Sequence, residues 1–313
     1  MTTLPFTTLD VFTQTPFKGN PLAVVTIPVG VNLSQDQKQA IAREFNLSET
    51  TFVHDVADPA TTSERRFDIF TREAEIPFAG HPTIGTAAFL YSRGVRTLIA
   101  KAGPITIEPM ANRALRAAIP YNVRLHQNRL PVPDPASFPV SQAEVAKAEG
   151  GSPLFSIVNG MAFALIELPS LEALGAVQFG AMPELPKELL DDGWNAGWVT
   201  RRYYFIRIAA ENLNGRAVYK IRTRMVRRSM EDPATGSAAC ALASYLSLHE
   251  LKDKSITFEI TQGVEMGRDS DILIDTEVGS DENGIRKLEA LHLGGKAVEV
   301  MSGSITARFE ASQ

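Results

Sequence analysis

The sequence predicts an α+β protein made of two copies of one fold, with strands in the majority. Three observations predict it. The chain has 313 residues, roughly twice the length of a typical single domain. Short alternating apolar runs outnumber stretches of helical spacing. Three sequence blocks recur in the same order along the chain.

Alternation over 22–27, 51–53 and 67–70 reads as strand, whereas apolar residues recur at helical spacing mainly over 36–45, 82–91, 171–176 and 233–246. In the repeat, Leu22-Ala23-Val24-Val25-Thr26-Ile27-Pro28 matches Phe163-Ala164-Leu165-Ile166-Glu167-Leu168-Pro169. Phe67-Asp68-Ile69-Phe70-Thr71-Arg72 matches Tyr219-Lys220-Ile221-Arg222-Thr223-Arg224, and His81-Pro82-Thr83-Ile84-Gly85-Thr86-Ala87-Ala88 matches Asp232-Pro233-Ala234-Thr235-Gly236-Ser237-Ala238-Ala239. Any one block is explicable by chance. Three in one order, with separations that drift by about one loop, indicate a duplicated fold. The halves are expected at 1–125 and 126–313, with the last strand a candidate to return to the first half. Residues 124–152, with Pro131, Pro133, Pro135 and Pro139, are the expected linker.

Composition narrows the function classes. Hydrophobic residues make up 44% and charged residues 21%, as in globular proteins, and no stretch approaches the ~20 apolar residues of a membrane span. Residues 1–6 lack the basic and apolar segments of a signal peptide. Cys240 is the only cysteine, which rules out a disulfide within the chain and favours a reducing, cytoplasmic setting. A net charge of −5 argues against a general nucleic-acid binder. Arg222, Arg224, Arg227 and Arg228 form a local basic cluster, read as a solvated strand and loop rather than as a device for steering anions. His54, His81, His126, His249 and His292 show no metal-ligand spacing, and neither a dinucleotide fingerprint nor a phosphate loop is present. No metal and no cofactor is therefore expected. Asn46-Leu47-Ser48 fits the glycosylation pattern, which a cytoplasmic chain would not use.

The third block points to chemistry. In both copies a polar residue precedes a proline, small residues follow, and an apolar helical pattern continues. Proline suits a helix start because its missing N–H has no intrahelical acceptor there. His81 and Asp232 are thus expected at N-caps. Asp232 is an ordinary cap, but histidine is a poor one, so something other than helix stability selects His81. Small residues in the first turns (Thr83, Gly85 and Thr86; Ala234, Gly236 and Ser237) leave backbone N–H groups accessible. Two such helix starts facing each other would hold a carboxylate. Two capped structural helices remain the alternative on pattern alone.

Gly19-Asn20-Pro21-Leu22-Ala23-Val24-Val25, Leu47-Ser48-Glu49-Thr50-Thr51-Phe52-Val53, Gly80-His81-Pro82-Thr83-Ile84-Gly85-Thr86-Ala87 and Asp232-Pro233-Ala234-Thr235-Gly236-Ser237-Ala238 resemble the signature blocks of the PhzF-like family of phenazine-biosynthesis isomerases. Gln262-Gly263, Gly267-Arg268 and Gly294-Gly295-Lys296-Ala297-Val298 extend the resemblance to essentially the whole chain. The resemblance implies a diaminopimelate-epimerase-like fold: two pseudo-symmetric α+β domains, each a mostly antiparallel, barrel-like curled sheet around a central helix, with the active site between them. It implies a homodimer and cofactor-free movement of a proton along a conjugated system. Glu49 would be the acid/base, His81 and Asp232 would bind and orient the substrate, and Ser48, Gly80, Gly236 and Ser237 would line the pocket, the last two near a substrate carboxylate. Without the resemblance, Glu49 reads as a charged residue at an exposed strand end.

The repeat adds that Arg202 falls opposite Glu49, which leaves the acid/base without a carboxylate twin. One cysteine excludes a two-thiol racemase, and Cys240 is expected as a small buried helix residue. The expected activity is isomerisation of a small carboxylate-bearing cyclic or conjugated metabolite. A metabolite-binding or interaction protein without turnover, and a one-base epimerase, are the competing readings.

Overall fold

A computed structural model of the chain describes residues 2–110, 112, 114–134, 139–180, 183–197, 200–227 and 230–307. The chain divides into two compact units, Met1–Ala118 with Gly294–Gln313, and Ile119–Leu293.

The first unit runs β1 (Thr2–Val11), β2 (Asn20–Ile27), α1 (Gln35–Phe45), β3 (Thr50–His54), β4 (Glu64–Phe70), β5 (Glu75–Ile76), α2 (Gly80–Tyr91), β6 (Thr97–Ala100), β7 (Gly103–Pro109) and β8 (Leu115–Ala118). Neighbouring strands are antiparallel except β2–β3, joined through α1, and β4–β6, joined through α2. A parallel pair needs a crossover of a dozen or so residues, and that need places the two helices. Ser34 and Gln37 form a capping box that starts α1. Asn46, left-handed at φ 54°, ends it and turns the chain into β3. α1 covers one face of the sheet through Ile41 and Ala42, which join a core with Leu4, Val25, Ile27, Phe52 and Phe70. α2 is buried nearly all round and packs against β1, β2, β3 and β8, so it is the central helix of a curled sheet. Gly85 makes that packing possible: a Cβ there would lie 2.5 Å from Leu22 Cδ2 and 2.7 Å from Val11 Cγ2.

The second unit repeats this order with β9 (Arg124–Arg129), α3 (Ala143–Glu149), β10 (Pro153–Val158), β11 (Met161–Glu167), α4 (Leu171–Ala176), β12 (Arg201–Leu213), β13 (Arg216–Val226), β14 (Glu231–Asp232), α5 (Gly236–Tyr245), β15 (Ser255–Gln262), β16 (Ser270–Ser280) and β17 (Arg286–Gly295). β11–β12 and β13–β15 are its two parallel pairs, and α5 is its buried helix. β18 (Ala297–Ala307) closes the chain by pairing antiparallel with β1, as β9 does with β10.

Residues 124–152 are not a linker. β9 pairs with β10 and α3 buries Val145 and Ala146, so the segment is part of the second unit. Pro131, Pro133 and Pro139 punctuate the path between strand and helix, while Pro135 lies outside the described residues. The basic cluster is also revised. Arg224 is buried against Glu231, and Arg222 binds Glu265. Arg227 is exposed, and Arg228 lies outside the described residues.

Candidate active site

Glu49 immediately precedes β3, three residues after the left-handed Asn46 that ends α1. Its side chain is 17% exposed, and Oε2 lies 3.0 Å from Nδ1 of His81, which is 4% exposed. At that distance carboxylate and imidazole share one proton: Nδ1–H donates to an ionised Glu49, or a protonated Glu49 donates to Nδ1. Nε2 of His81 and Oγ of neighbouring Ser48 are buried with no partner among the described residues. Buried polar atoms are normally satisfied.

His81 is not the N-cap of α2. Ala79 holds that place, and Gly80, His81 and Pro82 form the first turn. Thr83 N–H donates to Ala79 O as the first helical bond, and Thr83 Oγ1 donates to the same oxygen. The reason lies in the helix start itself: several leading N–H groups lack intrahelical acceptors, so proline is tolerated at the third position as well as the first. No side chain caps α2.

In the second unit Asp232 is not a cap either. It sits in β14 opposite Met225, and α5 starts four residues later, with Thr235 as N-cap and Gly236 and Ser237 in the first turn. Thr235 Oγ1 donates to Asp232 Oδ2 at 2.7 Å, and no side chain caps the helix. Gln262 organises the loop. Its amide donates to Asp232 O and Thr235 Oγ1, and its Oε1 accepts from Thr235 N–H and the Tyr203 hydroxyl. Gly263 follows at φ 78°, where a Cβ would lie 2.7 Å from Pro233 O. Gln262 and Gly263 stood out in the sequence as a motif, but their role as the brace of the Asp232 loop needed the tertiary contact.

Strand register corrects the alignment of the repeat. β4 pairs Ile69 with Ile76 as β13 pairs Met225 with Asp232. The intervening turns close in the same way, Thr71 N–H on Ala74 O and Arg227 N–H on Met230 O. Each helix has its N-cap three residues beyond. Gly80 therefore corresponds to Gly236 and His81 to Ser237, whereas the resemblance of His81-Pro82 to Asp232-Pro233 is out of register. Likewise Ala23 pairs with Thr50 and Ala164 with Arg202. Given the match of Ala23 to Ala164, Arg201 rather than Arg202 corresponds to Glu49. Arg202 is structural, with Nε on the 2%-exposed Glu149 at 2.7 Å.

Cys240 is buried within α5, and burial pushes its thiol well above the usual range. Among the described residues, no three His, Cys, Asp or Glu side chains are grouped to hold a metal ion. Nor is any described helix long and apolar enough to cross a membrane.

A family model described as "Phenazine biosynthesis-like protein" matches residues 9–303. An "uncharacterized isomerase" of Mesorhizobium japonicum is 32% identical, across 97% of this chain and 99% of its own length. The trans-2,3-dihydro-3-hydroxyanthranilate isomerase of Pseudomonas chlororaphis is also 32% identical, across 95% of this chain and 97% of its own. A solved PhzF-family phenazine biosynthesis protein of Bacillus anthracis, 20% identical, aligns with a TM-score of 0.71 over 98% of this chain and all of its own. Fold and relatives together define an isomerase on the diaminopimelate-epimerase-like fold. Within that class the chain belongs to the phenazine biosynthesis-like, or PhzF-like, family.

Proposed function

We propose that the protein moves a proton within a small carboxylate-bearing cyclic or conjugated metabolite without a cofactor, using Glu49 as its single acid/base. The contact between Glu49 Oε2 and His81 Nδ1 carries this reading. A half-buried carboxylate held at one orientation can take a proton from a substrate carbon. The C–H electron pair then shifts into the conjugated system, and the protonated Glu49 returns the proton at another carbon, leaving the enzyme unchanged. His81 holds the carboxylate, and its Nε2 and the Ser48 hydroxyl offer hydrogen bonds to substrate. Gly80 contributes an N–H of an uncapped first turn. Gly236 and Ser237 are assigned to substrate binding, because helix N–H groups without a side-chain cap suit a carboxylate; Asp232, which lies outside that helix, is assigned to substrate binding on family resemblance. The assembly is proposed to be a homodimer, on family resemblance; sedimentation equilibrium at micromolar concentration tests it, and monomer alone would reject it.

Deuterium wash-in from solvent, followed by NMR, tests the chemistry. Trans-2,3-dihydro-3-hydroxyanthranilate, named for the relatives, is the first probe, followed by a panel of cyclic carboxylates. Glu49→Gln keeps size and hydrogen bonding, so exchange should fall by ~10²-fold or more while affinity for a carboxylate ligand changes little. Undiminished exchange in Glu49→Gln rejects the single-base mechanism. Inverted stereochemistry at one carbon, with no shift of the double bond, identifies a one-base epimerase instead.

A further inference from the structure

The corrected register exposes a difference between the two copies. Asp68 corresponds to Arg224, because each directly precedes the residue paired with the short strand, and Glu75 corresponds to Glu231. In the second unit the Arg224 guanidinium forks onto both oxygens of Glu231 at 2.8 Å, and Nη1 donates to Leu174 O and Gly175 O. In the first unit glutamate is kept and arginine is replaced by aspartate. A cavity of about 300 Å³ lies there, lined by Gln35, Arg66, Asp68, Glu75 and Lys101 with the wall of β6.

The groups around this cavity are only partly satisfied. Asp68 Oδ2 accepts from Lys38 at 2.6 Å and pairs with His54 at 2.7 Å, whereas among the described residues Oδ1 meets only the exposed Arg66 at 3.6 Å. Glu75 Oε2 accepts from Gln35 and Lys101, and Oε1 has no partner among the described residues. Lys101 is 60% exposed, so its ion pair is weak and readily displaced. The Arg66 fork is 67% exposed and meets no carboxylate in a bidentate way among the described residues.

We propose that this cavity binds a small zwitterion that carries both a guanidinium, or comparable nitrogen cation, and a carboxylate, with free arginine as the closest chemical match. The ligand's cation forks onto Glu75 beside Asp68 Oδ1, as the Arg224 guanidinium forks onto Glu231 in the second unit. Its carboxylate meets the Arg66 guanidinium, which is shaped for that partner. The mixed lining disfavours simple ions, since an anion would meet Asp68 and Glu75 and a bare cation would meet Arg66 and Lys101. The site is separate from Glu49 and His81 in its residues, so it stands or falls independently of the proposed reaction.

Isothermal titration calorimetry with L-arginine, on the full chain at low ionic strength, tests the proposal. One saturable site is expected, weakened about tenfold or more for L-citrulline, which has the same shape without the charge, and similarly in Glu75→Gln. Lys101→Ala removes the competing cation and should tighten binding several-fold; this exposed substitution decides the matter even if Glu75→Gln fails to fold. Absence of heat up to ~10 mM L-arginine, equal binding of citrulline, or no tightening in Lys101→Ala overturns it.

Discussion

At Cys240 the expected role and the structural environment coincide: the thiol is 1% exposed inside α5, and burial raises its pKa. Cys240→Ser should therefore leave proton exchange within a few-fold of wild type. It should lower the melting temperature, because a buried hydroxyl without a partner costs about 1–3 kcal/mol. A ~10³-fold loss of exchange at intact fold would point to thiol chemistry instead. Arg202, by contrast, is no neutral control for Glu49. Removing its guanidinium leaves the buried Glu149 carboxylate, among the described residues, with only the Tyr204 hydroxyl, and stranding a buried charge costs several kcal/mol. Asp68 offers a separate test in acid. Burial alone would raise its carboxyl, but hydrogen bonds from His54 and Lys38 and their charges outweigh that and lower it to about 2. Its contribution to stability is full above the unfolded value near 4 and is lost as pH falls towards 2. Denaturant melts at pH 5, 4, 3 and 2 should show wild type losing stability over that window and Asp68→Asn, weaker at pH 5, losing less. Parallel slopes for the two proteins would remove Asp68 from the acid transition.

At the scale of elements, much was legible because it is local. Apolar spacing located α1, α2, α4 and α5 to within a few residues, since burial of one face sets that spacing. What failed was register. Apolar-polar alternation has a period of two, so similar strands match almost equally well at several offsets. The resemblance of Phe67-Asp68 to Tyr219-Lys220 was of that kind, whereas that of His81-Pro82 to Asp232-Pro233 rested on a proline near a helix start, which the first turn tolerates at more than one position; only ladder pairing fixed the true correspondence. The Glu49–His81 contact was not legible from residue chemistry either, because it spans 32 positions and depends on how α2 packs on β3. One buried bond ties the two elements together: Thr86 Oγ1 on α2 donates to Thr51 Oγ1 on β3 at 3.1 Å, two residues from Glu49. Thr86→Val should cost about 1–3 kcal/mol and slow exchange ~10-fold with little change in ligand affinity. Thr86→Ser should restore most of both. Equal exchange rates in the two variants would show that this bond stabilises the unit without positioning Glu49.

For the whole molecule, the consequential feature is that the first unit holds both ends of the described chain. β18 runs antiparallel to β1 from Thr2↔Ala307 to Val11↔Ala297, covering the full length of the first strand. It also packs on α2, the helix that carries His81. Within the second unit the corresponding position beside β10 is filled by β9, only a short stretch of chain away. Closing the first unit therefore requires one of the longest-range pairings the chain can make, so this pairing should form after the local ones. Removal of residues 294–313 should strip the outer edge of β1 and expose one side of α2, while every described strand pair within Ile119–Leu293 keeps its partner. In the truncated protein, hydrogen exchange followed by mass spectrometry should show β1, β2 and α2 exchanging near unfolded rates and β13, β15 and α5 still protected. Adding the missing segment in trans as a peptide should restore protection to β1 first, because that is the strand it pairs with. Protection of β1 and α2 without the last strand would mean that the first unit is stable on its local pairings alone, and uniform loss across both units would mean that they unfold as one cooperative body.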